Sequence, residues 1–367
     1  MDKRIVIIGA GPVGCYAAQL LKLRGFNPKL IEEHSQIGRP VHCTGLIGSQ
    51  LFKEKRFFDI PRQPIINTID GGVIHYNGEN FILRRKSVAF VVDRERFDKS
   101  LSRGLDINFE HKFVGIEKSG KGYIVGTDHG ELYADIVIGA DGGSSSLRKI
   151  MRQDAGIRYS KGLQLRMKVK SNNDHFVEVF LKKSSFFWLV PEEKGIARVG
   201  TISNNPHKDI QDFLKCYGIK GEIIDKFGGI VSVGICQNTV DGNIALVGGA
   251  ACQLKPLTYG GVYFGLKAAE ILADCIANDS LKEYDARWKK EFLNEIKIGL
   301  KAGELYNRLD EKEIETVFSL LKKQKSFIEK EGDFEKHSRV LLGIIRNPKV
   351  YPQLGVLFKI FLKSFLN

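Results

Sequence analysis

Apolar positions along the chain follow two rhythms. One is a short solid run that passes through glycines into a helical pattern; the other is an alternation with period two. The solid-run pattern occurs three times: in "RIVIIGAGPVGCYAAQLLKLRGFNPKLIEEH" within residues 1–34, in "LYADIVIGADGGSSSLRKIM" at 132–151, and in "NIALVGGAACQLKPLTYGGVYFGLKAAEILADCI" at 243–276. Uninterrupted apolar runs of this length predict parallel strands covered on both faces. Between the second and third stretches, residues 160–202 alternate, as in "LQLRMKVK" and "HFVEVFLKK", which predicts half-buried antiparallel strands. "GGVIHYNGENFILRR" at 71–85 predicts a hairpin turning at Asn77-Gly78. Residues 281–367 read as mostly helical. The expectation is an α/β protein with a nucleotide-binding Rossmann-like domain, an inserted antiparallel sheet and a C-terminal helical region. The nucleotide-binding domain is assigned to 1–66, 86–159 and 235–280, the sheet domain to 67–85 and 160–234, and the helical region to 281–367.

The first stretch carries candidate chemistry. Gly9, Gly11 and Gly14 form G-x-G-x-x-G where strand passes into helix, with Pro12 at the helix start. Gly9 suits a tight turn, Gly11 lets backbone approach a pyrophosphate, and Gly14 lets helix and strand pack closely. The helix start offers free N–H groups and the positive end of a dipole to phosphates. Strand Pro28–Ile31 then ends at Glu32, with Glu33 beside it, where a carboxylate would take an adenosine ribose hydroxyl. This order points to a dinucleotide, without separating NAD from FAD; the alternative is a glycine-rich turn with no ligand.

Composition narrows the class. At 367 residues with 43% hydrophobic content the chain is long enough for two domains or one large domain with an insert. No uncharged apolar run of about 18 residues is present, so no membrane span is expected. The strand at the very start leaves no room for a signal peptide. Cysteines 15, 43, 216, 236, 252 and 275 are scattered without a C-x-x-C pair, which fits reduced thiols in the cytoplasm and no metal site. The net charge of +13 favours an acidic partner such as anionic lipid or an acidic electron carrier, or simply serves solubility. No nucleic-acid motif accompanies it.

The second stretch makes the resemblance specific. Gly139-Ala140-Asp141-Gly142, followed by Ser145 and Arg148, resembles the second FAD fingerprint of the flavoprotein hydroxylase superfamily. "VVDRERFDKSL" at 91–101 resembles that superfamily's D-R-x-x-F-D segment, which implies that Arg94 reaches the ribityl or phosphate region. Within the superfamily, three segments resemble the geranylgeranyl reductase family, especially its archaeal branch. They are "PVHCTGLIG" (40–48), "FFWLVPEEKGIARVG" (186–200, against Y-x-W-x-F-P) and "QLKPLTYGGVYFGL" (253–266, against D-P-L-T-G-G-G-I). The resemblance covers roughly residues 1–300. It departs where the family's Gly-Asp is Gly248-Gly249, where the motif tyrosine is Phe186 and a second aromatic is Val190, and where the aspartate before Pro-Leu-Thr is Lys255. Losing the aspartate's hydrogen bond at Gly249 implies FAD binding weaker by about 1–3 kcal/mol. Lys255 is expected to add charge near the flavin entrance.

The resemblance implies an FAD-dependent reductase that saturates isolated double bonds of geranylgeranyl chains in polyprenyl lipids or prenylated quinones, the flavin doing the chemistry and the protein aligning reactants. Asp141, Gly142, Gly248, Gly249, Pro256, Gly260, Gly261 and Val262 are then cofactor-binding candidates. Gly260-Gly261 opens a helix near Val262 whose N–H groups would face the flavin ring, or is a plain helix-start turn. Cys43 lines the site or relays a proton, or is a small buried hydrophobe; His42 titrates near neutrality or is structural. Phe186, Phe187 and Trp188 wall an apolar tunnel, or Phe187 and Trp188 are ordinary core, and Pro191 sets the turn after the strand. Cys43, Trp188, Gly260 and Gly261 are the catalytic candidates. The electron donor is ferredoxin, which suits a basic surface, or a reduced nicotinamide cofactor. Basic, acid-free residues 336–367 end in Leu354, Leu357, Phe358, Phe361 and Phe365 at helical spacing; this is an amphipathic helix for the cytoplasmic face of a membrane, or one that closes the core. The rival readings are a flavin monooxygenase of an apolar substrate and a non-catalytic lipid-binding relative without flavin.

Overall fold

The computed structural model describes residues 3–55, 58–169, 173–193 and 195–346. The amphipathic stretch expected at 354–365 lies outside them. The solid apolar runs form the centre of a six-stranded sheet, in the order Val240–Asp241, Ile244–Leu246, Ile136–Gly139, Ile5–Ile8, Lys29–Ile31, Asp106–Asn108. All pairs are parallel except the first. Ile5 to Ile8 are all buried because helices cover one face and a small sheet the other. Helices Pro12–Lys22 and Val262–Ala277 pack side by side on the first face. The three-stranded sheet Phe113–Ser119, Gly122–Thr127, Gly130–Ala134 buries Val125 and Ala134 against Val6, Ile8 and Val137 on the other. Sequence reading passed over this small sheet.

The alternating segments form an eight-stranded sheet: Glu222–Val233, Arg158–Lys168, Ile196–Ser203, Ser185–Glu193, Phe176–Lys182, Ile65–Tyr76, Glu79–Val92, Leu46–Gly48. Asn77 and Gly78 make the hairpin turn with φ of 47° and 81°, so Tyr76 faces Glu79 across it. The sheet is not wholly antiparallel. Phe176–Lys182 runs parallel to Ile65–Tyr76, because the two antiparallel blocks come from distant parts of the chain and join edge to edge. Strand Glu79–Val92 also continues past the boundary expected at residue 86 and carries Leu46–Gly48 on its far edge. From Tyr284 to Arg346 the described chain is mostly helical, with a capping box at Asp310/Glu313 and a short loop at 332–337.

Candidate active site

One cavity of about 1260 Å³ lies outside the carboxyl ends of strands Ile5–Ile8, Lys29–Ile31 and Ile136–Gly139 and runs along a face of the eight-stranded sheet. That is where open α/β sheets take ligands, and the volume exceeds the roughly 300–1,000 Å³ of ordinary small-molecule sites. At its nucleotide end the glycines have separate duties. Gly9 has φ +96°, and a Cβ there would meet the Ala140 carbonyl at 2.6 Å; one on Gly14 would meet the Gly9 carbonyl at 2.1 Å. Those two close the turn against the helix. Gly11 and Gly142 line the cavity, and a Cβ on either would meet nothing within 4 Å. Gly11 is the N-cap with no side-chain cap and Pro12 opens the helix, which leaves the first N–H groups for a ligand.

Glu32 Oε2 accepts from Ala10 N–H at 2.8 Å, while Oε1 accepts from His34 N–H at 3.1 Å and lies 2.6 Å from His34 Nδ1. Three of its four lone-pair sites are used, which leaves one for a ribose hydroxyl. Glu33 is exposed at the cavity rim. These features fit a nucleotide with a diphosphate. Asp141 also lines the cavity, but its carboxylate is spent on the next helix, accepting from Ser145 Oγ at 2.6 Å and Ser146 N–H at 2.8 Å.

Behind this wall Arg148 is wholly buried, and its five donors meet five acceptors. Nε reaches Asp154 at 2.9 Å, Nη1 the carbonyls of Gly249 and Ala250 at 3.2 and 2.8 Å, and Nη2 the Gly143 carbonyl and Tyr159 Oη at 2.5 and 3.0 Å. Arg148 thereby ties the Gly142–Gly143 loop to the turn Gly248–Ala251. Gly248 and Gly249 are consequently not on the cavity wall. A Cβ on Gly248 would meet Val13 at 3.0 Å, and one on Gly249 would meet backbone of Gly142 and Gly143 at 3.1 Å. A side chain at 249 would press on this main chain from its first carbon, and the loop would have to give way.

Midway along the cavity, Arg94 forms a largely buried pair with Asp98 at 2.9 Å and stands beside Cys43. Cys43 lines the cavity and its Sγ accepts from Gly45 N–H at 3.3 Å. His42 is exposed, its Nδ1 2.5 Å from the Gly228 carbonyl. A buried network that sequence reading missed fixes this segment. Arg198 binds the Thr44 carbonyl, the Val92 carbonyl at 3.1 Å and Glu192, which also holds Arg166 at 2.7 Å. Gly45, φ +68°, is required there, since a Cβ would meet Arg198 Nη1 at 2.5 Å. The available signal was the pair Glu192 and Arg198 at inward positions either side of the turn in "VPEEKGIAR".

The far end is apolar. Phe186, Trp188 and Val190 face the cavity with Ile69, Ile74 and Val179. Trp188 Nε1 donates to Gln164 at 3.1 Å, and its indole fills the space left by the missing side chain of Gly200. Phe187 does not join them. Side chains alternate along the strand, so Phe187 is buried on the opposite face, stacked 4.3 Å from Phe213. Pro191 lies within strand Ser185–Glu193 rather than in a turn after it, and its carbonyl accepts from Asn67 Nδ2 at 3.0 Å.

Of the strap 255–262, Lys255, Leu257, Thr258, Tyr259 and Gly260 line the cavity. Pro256 is turned instead against helix Tyr284–Arg308, where Gly299 makes room for it. Gly261 and Val262 stand a step behind the wall as N-cap and first residue of the helix. Lys255 does not bring an unbalanced charge. It is buried and paired at 2.9 Å with buried Glu335, and its Nζ donates to the Phe334 carbonyl at 2.8 Å. Next to them His337 lines the cavity, and burial followed by the Lys255 charge lowers its pKa to about 3. Among the described residues no group of three or more His, Cys, Asp or Glu is placed to hold a metal.

Residues 7–45 match the NAD(P)-binding Rossmann-like domain model. The chain is 30% identical to an uncharacterised protein of Methanocaldococcus jannaschii, covering 94% of this chain and 95% of that one. It is 29% identical to a digeranylgeranylglycerophospholipid reductase of Methanococcus aeolicus, covering 84% and 88%. The chain belongs to the geranylgeranyl reductase family. A crystal structure of a geranylgeranyl bacteriochlorophyll reductase-like protein from Thermoplasma acidophilum shares the fold, with TM-score 0.80 at 21% identity, covering 98% of this chain and 99% of that one. The protein is an oxidoreductase, and its Rossmann-like domain fits a flavin or nucleotide cofactor.

Proposed function

We propose that the protein is an FAD-dependent reductase that saturates C=C bonds of geranylgeranyl or related isoprenoid chains in polyprenyl lipids or prenylated quinones. The observation that carries the reading is the continuity of one cavity, from the open glycines Gly11 and Gly142, past Cys43 and Arg94, to the apolar wall of Phe186 and Trp188. Its two ends suit a dinucleotide and a hydrocarbon. When bound, FAD supplies the two electrons and a hydrogen for the reduction.

The chain's own residues bind and orient. The N–H groups after Gly11 would hold the diphosphate, Glu32 would take the ribose, and the helix that begins at Val262 would offer its positive end to the cofactor beside Gly260. Phe186, Trp188, Val179 and Ile74 align the prenyl chain and keep water out. We assign the electron donor to ferredoxin or a reduced nicotinamide cofactor, and the setting to the cytoplasmic face of a membrane. Among the described residues no helix is long and apolar enough to cross one.

The test is anaerobic incubation of the chemically reduced holoprotein with geranylgeranyl lipids, followed by mass spectrometry. Products heavier by two hydrogens per bond support the reading. Unchanged masses across lipid, quinone and diphosphate substrates overturn it, and added oxygen would show a monooxygenase. A colourless protein that takes up no added FAD would show a lipid-binding relative.

A further inference from the structure

Tyr259 stands out on three independent grounds. Its φ of +60° is in the left-handed region, which a bulky aromatic residue rarely adopts. The conformation is forced, since Tyr259 N–H donates to the Lys255 carbonyl at 2.8 Å and Lys255 N–H to the Gly260 carbonyl at 3.0 Å, closing the strap on itself. A glycine would sit there without strain, and the family segment D-P-L-T-G-G-G-I has glycine at this position. Strain of this kind clusters at functional sites.

The side chain supplies the second ground. Tyr259 lines the cavity, and no hydrogen bond to its phenol oxygen exists among the described residues. The third is its neighbour. The Tyr259 ring lies nearly parallel to Phe186, 12° between planes and 6.4 Å between centres, and Phe186 in turn packs 5.8 Å from Trp188. Phe186 is where the family motif Y-x-W-x-F-P carries its tyrosine. The chain has therefore lost a phenol from the strand and placed one against the same spot from the strap.

We propose that Tyr259 is a catalytic residue that delivers the proton to the isoprenoid double bond. The inference rests on the reductase reading above. Reduced flavin is the reductant and gives one hydrogen with two electrons to one alkene carbon. The alkene π pair forms the second C–H bond with the proton of Tyr259 Oη as the O–H bond breaks. The alkene is reduced, the flavin oxidised, and the phenolate regains its proton from water. Burial pushes the Tyr259 pKa up, so the phenol stays protonated and loaded over the neutral range.

The test compares holoproteins of the wild type, Tyr259→Phe, Tyr259→Gly and the swap Phe186→Tyr/Tyr259→Phe. Tyr259→Phe keeps the ring and Tyr259→Gly removes the backbone strain, so at least one folds. Both should bind flavin with unchanged stoichiometry and reduce lipid at least about 100-fold more slowly, the range expected for loss of a general acid. The swap should recover at least tenfold of that loss. Independently of turnover, flavin fluorescence should rise in Tyr259→Phe, because tyrosine in contact with the ring quenches it by electron transfer and phenylalanine does not. A Tyr259→Phe rate within threefold of wild type, unchanged fluorescence, or a swap that recovers nothing overturns the proposal. Wild type that binds no flavin or leaves alkenes intact overturns the reductase reading, and this inference with it.

Discussion

At the scale of single residues the site is governed by what small side chains make room for. Gly11 and Gly142 are open towards the cavity, whereas Gly249 is closed off by the Gly142–Gly143 main chain. Reading Gly249 as a lost flavin contact suggested that Gly249→Asp would tighten FAD binding. The structure reverses the sign. The loop that would have to yield is held by Arg148, whose Nη2 grips the Gly143 carbonyl at 2.5 Å, so an added carboxylate must displace anchored backbone. Gly249→Asp is expected to raise the flavin dissociation constant at least tenfold and to lower stability by about 1–3 kcal/mol; equilibrium dialysis and urea titration would show it. The Arg148 clamp was invisible beforehand because its five acceptors come from backbone and side chains spread between residues 143 and 250.

At the scale of elements, the strand Ser185–Glu193 separates stability from binding. Phe187, 3% exposed, packs in a core of Leu163, Leu189 and Phe213, so Phe187→Ala should cost about 3–5 kcal/mol in unfolding free energy and leave the substrate KM unchanged. Phe186→Ala, on the cavity face, should raise KM several-fold with a stability change under about 1 kcal/mol. The strict two-residue period of a strand already implied that adjacent residues could not both wall the tunnel. A second element-scale link is the buried pair Lys255–Glu335, which fastens the strap to the segment before helix Ser338–Arg346. Glu335→Gln strands a buried ammonium and should cost about 3–5 kcal/mol, whereas Lys255→Met/Glu335→Leu should come close to wild type; thermal unfolding of the three proteins distinguishes the outcomes.

For the whole molecule, protonation of His337 connects stability to pH. Its pKa is lowered to about 3 by burial and the Lys255 charge, against about 6.5 when unfolded. The unfolded chain binds the extra proton between those values, so stability is full above about pH 6.5 and falls as pH drops towards 3. His337→Asn should flatten the acid limb of the stability curve by up to about 1.4 kcal/mol per pH unit. An unchanged slope in denaturant titrations at pH 4 to 6 would show that His337 protonates freely in the folded state.

The local order strand, glycine turn, helix and acid was legible in the chain itself, as were the Asn77-Gly78 hairpin and the helical C-terminal region up to Arg346. Each is set by neighbours within a few residues: apolar period, left-handed turns that glycine and asparagine accept, and capping. What only the tertiary structure decided was which groups meet across the cavity. Arg198 with Thr44, Lys255 with Glu335, and Tyr259 against Phe186 each join segments far apart in sequence. Their partnership is fixed by sheet register and by how the C-terminal helices pack, long-range contacts that no local periodicity encodes.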